Sequence, residues 1–260
     1  GQRWFGTRTG LLACGLVAIW PNLIYFTSVL SSELYFIAMV MAGLWFWGKQ
    51  VSFMSIVLCG LIWGLACYLR PVALLLPIAM AFAAVPFGVG PAIRSAVQTV
   101  ATMTIMLAIL LPWTLRNMEV LGEPILVSTN FGPNLWMGNN PDSTGGYMDL
   151  PDWIADMSET ERARALGDAA KDYILSDPAG FVLNTLVKAV KLYDRETIGV
   201  AWNQNAIRNL GGDPALLVAK LVATGFWYAL LLLSVVCLWQ MAKAGVWRAL
   251  FHPATLGVLY

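Results

Sequence analysis

The sequence predicts an all-α integral membrane protein. We expect a multi-pass helical bundle with about five complete spans plus the start of another, and a small, mainly helical extracytoplasmic segment. The 260 residues are 58% hydrophobic and 12% charged, with a mean hydropathy of +0.67, whereas soluble domains carry roughly 25% charged residues. The charges are also unevenly distributed, because fourteen of the fifteen acidic residues fall between Glu119 and Asp213.

The long uncharged stretches are the predicted membrane helices. A bilayer core of about 30 Å needs roughly 20 apolar residues at a rise of about 1.5 Å each. Some of the stretches are short or interrupted by Pro21, Pro77 or Pro86. The stretches are 9–32, 34–48, 50–69, 71–93, 95–115 and 221–242.

The same charges set the predicted boundaries and orientation. We expect transmembrane helices over 1–112, an extracytoplasmic loop segment with amphipathic helices over 113–213, and a transmembrane helix with the start of the next over 214–260. Basic residues without acidic neighbours mark the inner side: Arg3, Arg8, Lys49, Arg94, Lys243 and Arg248. The chain begins with Gly and its last apolar run reaches residue 260, so we expect an interior piece of a longer protein.

The outer segment contains recognisable start signals for helices. Residues 123–129 are β-prone, and the Gly, Pro and Asn content of 130–148 predicts turns and loop. Ser158 and Glu161 form a capping-box pattern that begins a helix. Asp177, followed by proline, is the N-cap of a second helix.

This second helix is mostly apolar, and its position suggests contact with the membrane surface. Lys188 and Lys191 suit the level of the lipid headgroups. After the helix, Asp194 and Glu196 come closest to an Asp-x-Asp pattern, and we interpret them as a solvated charge cluster.

Glu33 is the first candidate functional residue, because it is the only acidic side chain before residue 119. It falls at the outer end of a helix predicted to begin near residue 32. A carboxylate there could be a general base or a ligand for a divalent metal ion. Alternatively, an acid in the first turn is favoured by the helix dipole alone.

Arg70 is the second candidate, because about twenty apolar residues flank it on each side. A guanidinium at membrane level is costly unless it is paired or solvated, and its geometry suits a lipid phosphate. Alternatively, Arg70 extends to the headgroups and binds no substrate. Arg116, after a second apolar stretch, is a further candidate for phosphate binding.

The third candidate is a group of neutral polar and aromatic residues in the turn-rich loop. Asparagine amides can recognise hydroxyl groups and an indole offers a stacking face, which suits a sugar or an acceptor. The same composition also arises where Asn and Gly simply adopt left-handed conformations. The residues are Asn130, Asn134, Trp136, Asn139 and Asn140.

Several function classes are excluded. The chain has no H-E-x-x-H, G-x-S-x-G, Walker A or G-x-G-x-x-G motif. The sole histidine, His252, falls near a predicted inner boundary, so no Ser-His-Asp triad is available on the outer side. The net charge of +1 argues against a nucleic-acid partner.

The order of motifs resembles that of the bacterial GT-C glycosyltransferases of family 39, the group of protein mannosyltransferases and aminoarabinose transferases. The resemblance covers about residues 20–205 and depends on the order of these motifs. Its motifs are Pro21–Glu33, Gly64–Pro71, Pro112–Asn117 and the loop Val127–Tyr147.

The resemblance implies a transferase with a polyprenyl-phosphate sugar donor, an active site on the extracytoplasmic face of the bacterial inner membrane, and a glycan, lipid or protein acceptor. Glu33 matches the family's second acidic position, and Arg70 matches the arginine of its Arg-Pro motif. The first catalytic acid of the family would precede residue 1, which implies that this piece is inactive alone. The resemblance makes no cofactor certain, and a divalent metal ion at Glu33 stays open.

Two other classes also stay open. A transporter would place its site at mid-membrane between broken helices with paired charges. A non-catalytic membrane assembly or polymer-ligation protein would use the outer segment as a docking surface.

Overall fold

The computed structural model describes residues 6–48, 51–85 and 88–243. Helices account for 81% of them and no strand occurs among them, so the all-α prediction is confirmed. The chain divides into two compact units, one formed by 1–107 and 195–260 and the other by 108–194. The predicted positions of Lys49, Arg248 and the start of a further span lie outside the described residues.

The first unit contains most of the apolar helices. Its elements are α1 (Thr7–Ala18), α2 (Pro21–Phe26), α3 (Glu33–Trp47), α4 (Phe53–Leu69), a 3₁₀ turn (Pro71–Leu75), α5 (Leu76–Ala84), the greater part of α6 (Val89–Leu121), α10 (Ile198–Trp202) and α11 (Gln204–Lys243).

Proline and glycine determine where these helices end. Pro21 occupies the first turn of α2, so the predicted stretch 9–32 is divided there. Arg70 adopts an extended conformation before Pro71 and terminates α4, because the residue before a proline disfavours the helical region. In α11, Gly212 has a φ of 68° and kinks the helix, a conformation that glycine adopts without steric cost.

Helices α3 and α4 pack closely through a glycine. A Cβ atom on Gly43 would lie 2.0 Å from the indole nitrogen of Trp63, and Trp63 is fully buried. The Trp63 ring also stacks on Trp47, with 5.7 Å between the ring centroids. Small residues allow apolar helices to approach in this way, and the resulting contact holds α3 against α4.

A polar face of α6 contacts α5. The hydroxyl of Ser95 donates to the carbonyl of Met80 over 3.2 Å, and that of Thr99 donates to the carbonyl of Pro77 over 2.8 Å. Both side chains are buried. Hydrogen bonds of this kind hold helices together where water is absent.

The second unit contains the end of α6, α7 (Phe131–Gly138), a short 3₁₀ turn (Asp152–Ile154), α8 (Glu159–Ser176) and α9 (Pro178–Asp194). Both predicted helix starts are confirmed. Ser158 and Glu161 form the capping box of α8, and the Asp177 side chain accepts from the Gly180 amide over 2.9 Å at the start of α9.

Two predictions for this unit are wrong. Residues 123–129 form no strand, and the segment predicted as turns and loop contains the helix α7. The helix forms because Gly132 lets α7 approach α8 so closely that a Cβ atom there would lie 1.8 Å from the Ala163 carbonyl oxygen. Tertiary packing therefore outweighs the weak helix propensity of this sequence.

Two helices, Val89–Leu121 and Gln204–Lys243, are long and apolar enough to cross a membrane by length and composition. The other apolar helices of the described residues are shorter: Thr7–Ala18, Glu33–Trp47, Phe53–Leu69 and Pro71–Ala84.

Candidate functional site

The structure brings together Glu33 and Arg70, two residues that the sequence singled out separately. Glu33 is the first residue of α3 and Arg70 caps the end of α4. Their contact joins the start of α3 to the end of α4, and the Arg70 Nη2 atom donates to Glu33 Oε1. The side chains remain 44% and 26% exposed, respectively, so the pair is accessible from one side.

The two oxygens of Glu33 have different surroundings. Oε1 is held by Arg70, whereas Oε2 is buried and has no hydrogen-bond partner within the described residues. The Ser31 hydroxyl is likewise buried and unpartnered there. A buried carboxylate oxygen with no partner is unusual, and the lone pairs of Oε2 are not used by any donor within the described residues.

The ion pair gives Arg70 a role besides extending to the headgroups, and gives Glu33 a role besides its favourable interaction with the helix dipole. Arg70 is bound to a carboxylate instead of depending on headgroups alone, and Glu33 is bound to a cation in addition to its favourable position at a helix start. For metal binding, no group of three or more His, Cys, Asp or Glu side chains that could hold an ion occurs within the described residues.

Arg116 belongs to the second unit. Its guanidinium carbon lies 5.0 Å from the centre of the Trp113 ring, and Nη1 donates to Asn117 Oδ1 over 3.1 Å. The side chain is exposed. These contacts orient a cation that is still available to an anion.

Neighbouring residues of α6 have a structural role that the sequence analysis missed. Three side chains near its end donate to three successive backbone carbonyls: Trp113 to Val127 over 2.9 Å, Thr114 to Leu126 over 3.2 Å, and Asn117 to Ile125 over 2.8 Å. The β-prone segment is therefore held by side chains instead of a neighbouring strand. The sequence signal is a set of donors at the end of a helix that precedes a short extended segment.

Asn139 and Asn140 are buried and cap the end of α7. The Asn139 amide donates to the Leu135 carbonyl over 2.9 Å, and the Asn140 amide donates to the Trp136 carbonyl over 2.7 Å. Asn140 Oδ1 also accepts from the Asp142 amide over 2.8 Å. The polar groups of both residues are thus used within the loop, and a sugar contact by them stays a prediction.

Asn130 and Asn134 are placed differently. They lie one helical turn apart on the same side of α7, both are exposed, and their side chains make no hydrogen bond within the described residues. Trp136 is partly buried and lies on another side of the helix, since it is two positions after Asn134. The structure therefore groups two of the five predicted residues.

The lysines of α9 bind the loop. Lys188 Nζ donates to the Gly138 carbonyl and, over 3.2 Å, to Asn139 Oδ1, and Lys191 Nζ donates to the Thr144 carbonyl. Burial lowers the pKa of Lys188. The ammonium groups of both lysines are therefore directed to the loop, and their placement at the level of the headgroups stays a prediction.

A buried polar cluster in the first unit was also missed. Asn22 is fully buried; its amide donates to Glu196 Oε1, and its Oδ1 accepts from the Gly199 amide over 2.7 Å. Burial raises the pKa of Glu196, against the opposing effect of the Asn22 hydrogen bond. Glu196 is thus a half-buried carboxyl group and not part of a solvated cluster.

No family model, curated protein or solved structure matches this chain. The resemblance to the GT-C glycosyltransferases therefore depends on the quoted motifs.

Proposed function

We propose that this chain is the membrane part of a glycosyltransferase. It would transfer a sugar from a polyprenyl-phosphate donor to a glycan, lipid or protein acceptor at the extracytoplasmic face of the bacterial inner membrane. The observation that carries the proposal is the Glu33–Arg70 pair, in which one carboxylate oxygen is held by a guanidinium and the other is buried and free.

The pair supplies the two groups that this chemistry needs. In the transfer, the acceptor oxygen forms a bond to the anomeric carbon, and the bond from that carbon to the phosphate oxygen breaks with its electrons. The remaining N–H groups of Arg70 stabilise the departing phosphate. Glu33 Oε2 accepts the proton of the acceptor hydroxyl.

The proposed membrane arrangement has about five spans, including the two long helices and the shorter apolar ones. Glu33 lies at the start of α3 and Arg70 at the end of α4, and we propose that these two helix ends reach the extracytoplasmic surface of the membrane. Arg116 is proposed as a second phosphate contact, and Asn130 and Asn134 with Trp136 as sugar or acceptor contacts.

The test is sugar transfer by the complete protein, purified in detergent, from polyprenyl-phosphate sugars. We expect Glu33→Gln to lower kcat by about 10²- to 10⁴-fold, the usual contribution of a general base. Arg70→Gln should raise the KM for the donor and lower kcat. The matched control is Glu123→Gln, which breaks the more exposed Glu123–Arg164 pair of the second unit and should leave kcat within about twofold, since exposed pairs contribute little.

A charge-swapped double variant separates catalysis from folding. Glu33→Arg with Arg70→Glu restores an ion pair but exchanges the positions of its charges. We expect the swapped protein to unfold at nearly the original temperature and to lack transferase activity. An active swapped protein would mean that the pair only joins two helix ends, and the proposed site would be wrong.

A further inference from the structure

Helix α9 has two faces with different surroundings. On one face, Asn184, Lys188 and Lys191 donate to the backbone carbonyls of Gly138 and Thr144. The polar side chains of the helix are thus used within the second unit. They hold the loop that follows α7.

The opposite face is apolar and uncovered. Leu183, Leu186 and Val190 follow one another at the spacing of one helix side, and they are 64%, 60% and 72% exposed. Val182 and Val187 flank them and are also exposed. No charged side chain belongs to this stripe, which continues along most of the helix.

We propose that this stripe, Val182, Leu183, Leu186, Val187 and Val190, is a membrane-binding surface. Helix α9 would lie in the plane of the bilayer interface, with the stripe inserted among the upper acyl chains. The loop fixed by the two lysines would then be held at the membrane surface, on the opposite side of the helix.

Two observations favour lipid over a protein partner. The second unit includes the last turns of α6, a candidate membrane span that also exposes Leu111 and Leu115. At the other end, only residues 195–203 separate α9 from α11, the second candidate span. The chain is therefore tied to membrane-spanning segments on both sides of α9, and a lipid surface requires no polar partners from the stripe.

The engaged lysines add a further expectation. Because Lys188 and Lys191 are bound to the loop, insertion of the stripe depends on apolar burial and not on attraction to anionic lipid. Phosphatidylcholine, which has no net charge, should therefore suffice. The proposal is independent of glycosyl transfer, since it concerns only the placement of α9.

The test is the accessibility of nitroxide spin labels in the complete protein, reconstituted in phosphatidylcholine vesicles. The exposed cysteines Cys14 and Cys237 are first replaced by serine. Single cysteines are then introduced and labelled at Leu186 or Val190 on the stripe. Thr185, which is exposed on another side of α9, provides the matched control.

We expect labels on the stripe to collide more with oxygen than with a water-soluble nickel complex, at a depth of about 5–10 Å. The Thr185 label should show the reverse preference, and a label at Leu232 on α11 should report a lipid environment. Water-like accessibility at both Leu186 and Val190 would overturn the proposal. Spin–spin broadening at these positions would also overturn it, because it would show that a second copy covers the stripe.

Discussion

The two units use buried polar side chains for different purposes. In the first, Ser95 and Thr99 of α6 donate to carbonyls that already belong to helix α5. In the second, Asn117 donates to the carbonyl of Ile125 in a non-helical segment, where no other donor reaches that oxygen within the described residues. The first kind of bond supplements a helix, whereas the second satisfies backbone that would otherwise be unpaired. Removing a bond of the second kind should therefore lower the free energy of unfolding more than removing a bond of the first kind.

The largest effect is expected from Asn117→Ala. The change removes the donor to the Ile125 carbonyl and the acceptor for Arg116, so we expect unfolding in mixed micelles to become easier by about 1–3 kcal/mol. Asn134→Ala is the matched control, because Asn134 is an exposed helical asparagine. If the two variants were equally stable, the Asn117 bond to the Ile125 carbonyl would contribute no special stability, and the proposed difference between the units would be wrong.

A smaller effect is expected from Thr99→Val. This near-isosteric change removes the bond to Pro77 while the carbonyl keeps its place in a helix, so we expect a loss of about 0.6 kcal/mol, the average for such bonds between membrane helices. Thr104→Val is the control, since the exposed Thr104 hydroxyl bonds within its own helix, to Val100. A loss at Thr99 as large as that at Asn117 would contradict the comparison.

Local signals in the sequence predicted the helices well where the determinants were local. The capping box at Ser158 and the N-cap at Asp177 depend on residues within one turn, and both are present. Helix α7 was missed because it depends on the contact of Gly132 with Ala163, more than thirty positions away in the chain. Residue types alone contain no information about that contact.

For the candidate site too, the sequence indicates which single residues are unusual but not which distant residues they contact. An arginine within an apolar sequence requires a partner, and the structure supplies one for Arg70 in Glu33. The identity of that partner could not be predicted, because it depends on how α3 and α4 pack. Composition could not separate the asparagines either. Asn140 and Asn134 are the same residue type, yet one caps a helix and the other is exposed.

The smallest expected effect is a pH-dependent change in stability at Glu196, a carboxyl group of the first unit, which we compare with Glu119 of the second. Because burial raises the pKa of Glu196 above its ordinary value of 4.5, the folded state binds a proton more tightly than the unfolded chain. The stability contributed by this group therefore falls as pH rises past 4.5, and the loss is complete above the folded-state pKa. An ionised Glu196 is a small cost that the folded protein carries at neutral pH.

Glu196→Gln removes that cost and retains an acceptor for the Asn22 amide. We expect the variant to be more stable than the original protein at pH 7, with the difference disappearing below pH 4.5, as measured by unfolding across this range. Glu119→Gln, at an exposed position in the second unit, is the matched control. A Glu196→Gln variant that is less stable at pH 7 would mean that the Asn22 bond to the carboxylate outweighs burial. The cluster would then stabilise the charged form of Glu196.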